Sequence, residues 1–278
     1  MKTALIVFLV LVGSCLTRAP QDSRPVNEPK AVELFQKALA AQTQGGGAVV
    51  IRDLQASLLV ASYEADPKTK ERKPRSAEVV QYYRDRGADR PLFRSHLIDK
   101  IGGNETIQGY DGERYWQKLG NTAARELRGR ESKEDVDRIK DEMNRTRDYL
   151  RFLFLSNLQG PDVTLRYGGQ TKIKANGRDR DVEVVIREKP KEKPIELYIG
   201  DAKGVAVLYG LSRKLDSGKT EVIAFSMHTV VASGNATALV PLVAEYREDG
   251  VLTFEARGGE KDVRLNPTLP DGTYSMPQ

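Results

Sequence analysis

Along residues 31–42, AVELFQKALAAQ, the apolar positions Val32, Leu34, Phe35, Ala38 and Leu39 fall mainly on one side of a 3.6-residue period, with Pro29 just ahead. The pattern predicts an amphipathic helix that Gly45-Gly46-Gly47 ends. The next run, AVVIRDLQASLLVASYE, is long and β-branched and is interrupted by Gln55, Ser57 and Ser62, so it reads as one long strand or two short ones. The basic run Lys68 to Arg75, KTKERKPR, reads as a solvated hairpin tip. Beyond it lie AEVVQYYRD (77–85), PLFRSHLIDKI (91–101) and ETIQGYDGERYWQKL (105–119), partly alternating and bounded by Gly, Asp or Asn. These predict an antiparallel meander in which Asp111-Gly112, between Tyr110 and Tyr115, marks a tight hairpin.

From Ser132 the period changes. Val136, Ile139, Met143, Leu150 and Phe154 recur at helical spacing, with Asp, Glu, Lys and Arg on the other faces. The predicted helix is wet in its first half, and its nearly all-apolar second half, YLRFLFLSNL (149–158), is expected to enter the interior. After Gly160-Pro161 the chain returns to short segments: DVTLRYGG, RDVEVVIRE, PIELYIGD, GVAVLYGLSRKL, KTEVIAFSMHTVVA, LVPLVAEYRED, GVLTFEAR and KDVRLNP. Gly and Asp turns separate most of them, Glu248-Asp249-Gly250 being the clearest hairpin.

The fold class these patterns predict is mainly β (α+β): a strongly curved antiparallel sheet of roughly ten strands, covered by the two helices on its concave face. Such a lidded sheet encloses an apolar space, which its own side chains fill unless the lid can leave.

The most apolar stretch precedes all of this. Ala4 to Val12 is less than half the ~20 residues a membrane-crossing helix needs. With Lys2 before it and Gly13-Ser14 after it, the layout is that of an export signal with a small-residue cleavage site. Val12-Gly13-Ser14-Cys15 resembles a bacterial lipobox, in which the cysteine is lipidated and becomes the new N-terminus; the alternative is ordinary cleavage a few residues later, for instance after Ala19. Cys15 is the single cysteine of the chain, so it joins no disulfide framework. One acyl chain anchors only marginally, whereas two or three hold firmly. Leu16 to Lys30, with three prolines and no apolar period, reads as a tether. The expected organisation is a signal peptide at 1–14, a lipidated N-terminus and tether at 15–30, and one domain at 31–278, held at a membrane in the cell envelope.

Without the first 14 residues the basic groups exceed the acidic by 43 to 39, and the signs alternate almost everywhere. This is a mixed solvated surface, unlike the one-sided basic face with interleaved aromatics of a nucleic-acid binder. No metal is expected, since His96 and His228 stand alone, outside any ligand spacing. No cofactor is expected either, because no phosphate-cradling or dinucleotide-binding glycine motif is present, nor is there a nucleophile elbow. Glu105, Asp111 and Glu113 cluster locally, but turn chemistry accounts for Asp111 and solvation for the others. What remains is aromatic: Tyr110, Tyr115 and Trp116 on one hairpin, Phe152 and Phe154 in the apolar end of the second helix. Such residues pack cores by default, and their functional reading is a lining for an acyl chain.

At GYDGERYW the sequence resembles the LolA/LolB-like lipoprotein-localisation family, in which an aromatic-D-G-x-x-x-W hairpin follows the opening strands. The N-terminal amphipathic helix feeding a long first strand, the apolar piece RFLFLSNL, and a C-terminal strand ending like NPTLPDGTYSMP agree. The matching positions are Tyr110, Asp111, Gly112 and Trp116. The resemblance implies a half-open barrel whose helical lid shields a cavity for acyl chains, and a role in carrying lipoproteins across the periplasm or receiving them at the outer membrane. The charged helix from Ser132 to about Arg147 and the insertion at Lys68 to Arg75 depart from the family pattern.

The leading expectation is a non-enzymatic envelope lipoprotein that takes a lipid, an acyl chain or an acylated protein into a hydrophobic cavity lined by Tyr110, Tyr115, Trp116, Phe152 and Phe154. A protein-interaction module with a self-filled core is the alternative. A carboxylate-based hydrolase ranks third, and it requires two acids converging in a cleft.

Overall fold

The computed structural model describes residues 27–43, 51–65, 72–84, 92–99, 103–127, 136–137, 139–140, 143–144, 152–160, 162–234 and 236–277. Its first element, α1, spans Pro29–Gln42 with proline in the first turn, where its missing N–H is no loss. The strands of the N-terminal half are β1 (Asp53–Ala65), β2 (Arg72–Arg84), β3 (Leu92–Asp99), β4 (Glu105–Tyr110), β5 (Tyr115–Leu119) and β6 (Arg125–Glu126). Those of the C-terminal half are β7 (Thr164–Ala175), β8 (Arg178–Glu188), β9 (Ile195–Ala202), β10 (Val205–Lys214), β11 (Thr220–Ser233), β12 (Ala236–Glu248), β13 (Val251–Arg257) and β14 (Val263–Leu265).

All fourteen strands among the described residues belong to one sheet, more than the roughly ten the spacing predicts, because the 105–119 stretch divides into β4 and β5 and short β6 carries no pattern of its own. The order is β6-β5-β4-β3-β2-β1-β13-β12-β11-β10-β9-β8-β7, and β14 pairs the first part of β1. Two antiparallel meanders are thus welded where β1 meets β13, with Leu59 opposite Arg257. Among the described strands the two ends of the order do not pair, so the sheet is unclosed. The long run after α1 contributes a single strand, β1; of the basic run expected at a hairpin tip, Arg72 to Arg75 pair within β2 against β1, and Lys68 to Glu71 lie outside the described residues.

Alternation assigns each strand an inner and an outer face. The inner face carries the main core: α1 lies on it through Ala31, Phe35 and Ala38, opposite Val185, Leu197, Leu211, Ile223 and Phe225. At Tyr167/Gly169 a bulge shifts the register of β7, where Gly169 takes φ 94. The bulge bends the far part of the β7–β8 hairpin back over the outer face, as expected of a feature that sharpens local twist. There Ile173, Ala175 and Val182 close a second, smaller core with Val207, Tyr209 and Ala224.

The second predicted helix is represented by Val136, Asp137, Ile139, Lys140, Met143, Asn144 and Phe152, all helical, while the rest of 128–151 lies outside the described residues. Its apolar end enters the interior as predicted: Phe152, Leu153, Phe154, Leu155 and Leu158 are buried, and Leu155–Leu158 forms a 3-10 turn. The C-terminal stretch differs from expectation. After β14 the residues NPTLPDGTYSMP form no strand but cross the outer face of β2–β5 as a strap; Pro267, Pro270 and the Asp271-Gly272 turn deny it a ladder.

Candidate functional site

Adjacent residues of a strand face opposite ways, and that separates the five aromatic candidates. Tyr110 and Tyr115 face each other across the β4–β5 pair with rings stacked at 4.5 Å, and both pack on the inner core. Leu54, Tyr83, Phe93, Tyr110 and Tyr115 are successive cross-strand partners on β1 to β5, an unbroken apolar and aromatic row on the inner face. Phe152 and Phe154 belong to the same cluster. Trp116 does not: it is fully buried on the outer face beneath the strap, its Nε1–H donating to the Tyr274 carbonyl at 3.2 Å. Gly109 opposite leaves room for the indole, since a Cβ there would stand 2.5 Å from a ring carbon. Trp116 is therefore the cornerstone of the strap, apart from the four aromatics gathered on the inner face.

Asp111 shapes the hairpin. Its Oδ1 accepts the N–H groups of Glu113 and Arg114, its Oδ2 the Arg114 guanidinium at 3.0 Å, and the Tyr110 hydroxyl donates to the Gly112 carbonyl. Burial alone would raise its carboxyl, and these hydrogen bonds outweigh burial and lower it. Glu105 lies 2.6 Å from His96 Nε2 on the outer face, away from Asp111. His228 sits edge-on to Tyr209, with Nε2 at 2.9 Å from the Leu208 carbonyl. Burial lowers its pKa, the hydrogen bond opposes that, and the charge of Arg180 adds to it. Among the described residues no three His, Cys, Asp or Glu side chains gather in a metal-holding group, and no helix is long and apolar enough to cross a membrane. Cys15, the lipidation candidate, lies outside the described residues.

The inner segment 152–158 is fastened by polar contacts that the sequence did not announce. Gln42, at the end of α1, donates from Nε2 to the Leu153 carbonyl at 2.5 Å and accepts the Leu155 N–H at 2.8 Å. Arg187, 1% exposed, donates to the Leu158 carbonyl at 3.3 Å and to Glu192 at 2.5 Å. Arg213 stands over the Phe152 ring and is paired with buried Glu221 at 2.7 Å. Burial of such ions is tolerable only with a partner in place.

Where α1, this segment and β7 meet, an open cleft of about 520 Å³ reaches the surface. Val32, Phe35, Leu158, Val163 and Leu165 form its apolar walls; Asn27, Gln36 and Gln159 supply amides. The start of α1 is docked on β7 beside it: Glu28 N–H donates to the Leu165 carbonyl, Leu165 N–H to Asn27 Oδ1 and Tyr167 N–H to Glu28 Oε2. Lys30 and the Tyr167 hydroxyl share the carboxylate of Glu183. Asn27 to Lys30, read as tether from the sequence, thus contact the folded domain. The apolar stripe of α1 was the available signal for Val32 and Phe35. The apolar run ending at Leu158 was the signal for that residue, and nothing local marked Val163 and Leu165.

No protein family model matches the chain, and neither does any curated protein. Among solved structures, the chain is similar to a domain described as an outer membrane lipoprotein-sorting protein from Vibrio parahaemolyticus, at 10% identity and TM-score 0.49, over 88% of this chain and 96% of that one. It is similar to a DUF1329 family protein from Desulfovibrio piger, at 10% identity and TM-score 0.49, over 88% and 97%. A LolA superfamily protein from Nitrosomonas europaea follows at 11% identity and TM-score 0.48, again over 88% and 97%.

Proposed function

We propose that this chain is a non-enzymatic, lipid-anchored protein of the bacterial cell envelope that binds an acyl chain, or the acylated end of another protein, against the inner face of its sheet. The observation that carries the reading is the cleft between α1, the 152–158 segment and β7. Its volume of about 520 Å³ falls in the range of small-molecule sites, and its walls are apolar with a few amides, as such sites require. Phe35, Leu158 and Leu165 belong to the same cluster as Tyr83, Phe93, Tyr110 and Tyr115, so an apolar path leads from the cleft to the aromatic row.

Burial supplies the affinity. At about 25 cal/mol per Å², removing about 200 Å² of acyl surface from water contributes about 5 kcal/mol without any polar contact. In the described state the segment 152–158 occupies the place of a ligand, and binding requires it to yield. Anchoring at Cys15 would hold the domain at a membrane, with the residues before Asn27 as its leash. Native mass spectrometry of membrane-extracted protein, together with uptake of a fluorescent fatty acid, tests the reading: bound lipid and saturable uptake are expected, and absence of both overturns it.

One observation favours the second reading, an interaction module with a self-filled core. Beneath the far end of α1 the enclosed space among Ala38, Gln42, Leu153, Leu155 and Phe225 is about 10 Å³, room for a single water. Under that reading α1 never leaves, and no acyl probe enters.

A further inference from the structure

The inner face of β2 to β5 is not uniformly apolar. Two residues along from the aromatic row runs a row of uncharged polar side chains: Gln81 faces Ser95, Ser95 faces Gln108, and Gln108 faces Gln117. Such cross-strand neighbours stand about 4.5–5.5 Å apart at Cβ. Gln81 and Ser95 are 4% exposed and Gln117 is 8% exposed. On the far side the surface turns apolar again with Val79 and Leu97. Polar side chains in the middle of an apolar face are unfavourable unless each finds a partner. Gln81 Oε1 is buried and has no hydrogen-bond partner among the described residues.

We infer that this row is the head-group site of the acyl-binding face, and that its ligand is an uncharged ester lipid with a free hydroxyl, a diacylglycerol. The inference rests on the acyl-binding reading above and adds the class of lipid to it. Gln81 Oε1 is an acceptor, so its missing partner is a donor, and the glyceryl hydroxyl is one. The amide NH2 groups of Gln108 and Gln117 are donors for the two ester carbonyls. None of the four side chains carries a charge, and the one cation in line with them, the exposed Arg125 opposite Gln117, stands at the far end of the row, so a phosphate or carboxylate seated at Gln81 and Ser95 would be buried without a counter-charge. The acyl chains of such a lipid run over the adjoining row of Tyr83, Phe93, Tyr110 and Tyr115.

The test uses the full-length protein in mild detergent and three fluorescent probes: a diacylglycerol, the same lipid with its hydroxyl acetylated, and a fatty acid. The wild type is expected to bind the diacylglycerol about tenfold more tightly than the acetylated lipid, the usual consequence of one buried hydrogen bond to an otherwise unsatisfied group. Gln81→Leu is expected to abolish that preference and to leave the fatty-acid affinity as it was. Its thermal midpoint is expected to hold or rise, since an unpaired buried oxygen is removed. Equal binding of the two glycerolipids by the wild type, or a preference that survives in Gln81→Leu, overturns the head-group assignment while the acyl-binding reading stands. Failure of the wild type to take up any of the three probes overturns both.

Discussion

The side-chain amide of Gln42 accepts the Leu155 N–H at 2.8 Å while donating to the Leu153 carbonyl at 2.5 Å, so one residue at the end of α1 closes two of the hydrogen bonds that hold the segment filling the inner face. α1 and the 152–158 segment are thereby one unit, and a ligand that displaces the segment must break this pairing or carry α1 with it. Replacing Gln42 by leucine leaves a buried N–H and a buried carbonyl unpaired. The expected cost is about 1–3 kcal/mol in urea denaturation, accompanied by faster uptake of a fluorescent fatty acid. Unchanged stability and uptake would show that the pairing restrains nothing.

Trp116 reports on the outer face alone. It is the single tryptophan of the chain and lies under the strap, which it meets at Tyr274. Removing residues 271–278 is expected to shift its fluorescence emission to the red as the indole meets water. Filling the inner face with a fatty acid is expected to leave the emission where it was. A ligand-induced emission shift in the intact protein would place the ligand, or its effect, on the outer face instead.

Lowering the pH acts through His228. Its folded-state pKa lies below the ordinary 6.5 because burial disfavours the imidazolium. The unfolded chain therefore takes up its proton first as pH falls, so the stabilisation that the neutral ring provides is present above pH 6.5 and is lost as pH drops below it. Urea midpoints between pH 7.5 and 5 are expected to decline in the wild type and to decline less in His228→Gln. Parallel declines would assign the acid sensitivity elsewhere.

The Arg213–Glu221 pair is predicted to matter through its absence more than its presence. Removing only the carboxylate, Glu221→Ala, leaves the guanidinium largely buried beside Phe152 and is expected to cost about 3–5 kcal/mol. The double replacement Glu221→Leu with Arg213→Met is expected to recover most of that loss. A double mutant no more stable than Glu221→Ala would mean that the pair contributes net attraction of its own.

The sequence disclosed whatever depends on local chemistry. The stripe of Val32, Phe35 and Ala38 marked α1; Asp111-Gly112 and Asp249-Gly250 marked two hairpins; and the run from Phe152 to Leu158 marked a segment bound for the interior. It concealed what depends on register between distant strands. Tyr115 and Trp116 are neighbours in one hairpin signal, and period-2 alternation alone sends them to opposite faces, but only the register with Tyr110 and Gly109 shows which face is the inner one. The row from Gln81 to Gln117 exists because three successive pairings align residues drawn from a 37-residue span. The hairpin folded over the outer face follows from a bulge at Gly168-Gly169, which composition marks as a turn or a bend without choosing between them.

Titration of the full-length protein with a fluorescent fatty acid, run beside a Val163→Trp variant that fills the cleft, tests most directly whether the inner face accepts an acyl chain through the cleft beside α1. Saturable binding by the wild type at one chain per protein, weakened at least tenfold in Val163→Trp at unchanged thermal midpoint, is the predicted result. No saturable binding by the wild type, or equal binding by a folded Val163→Trp, would contradict it.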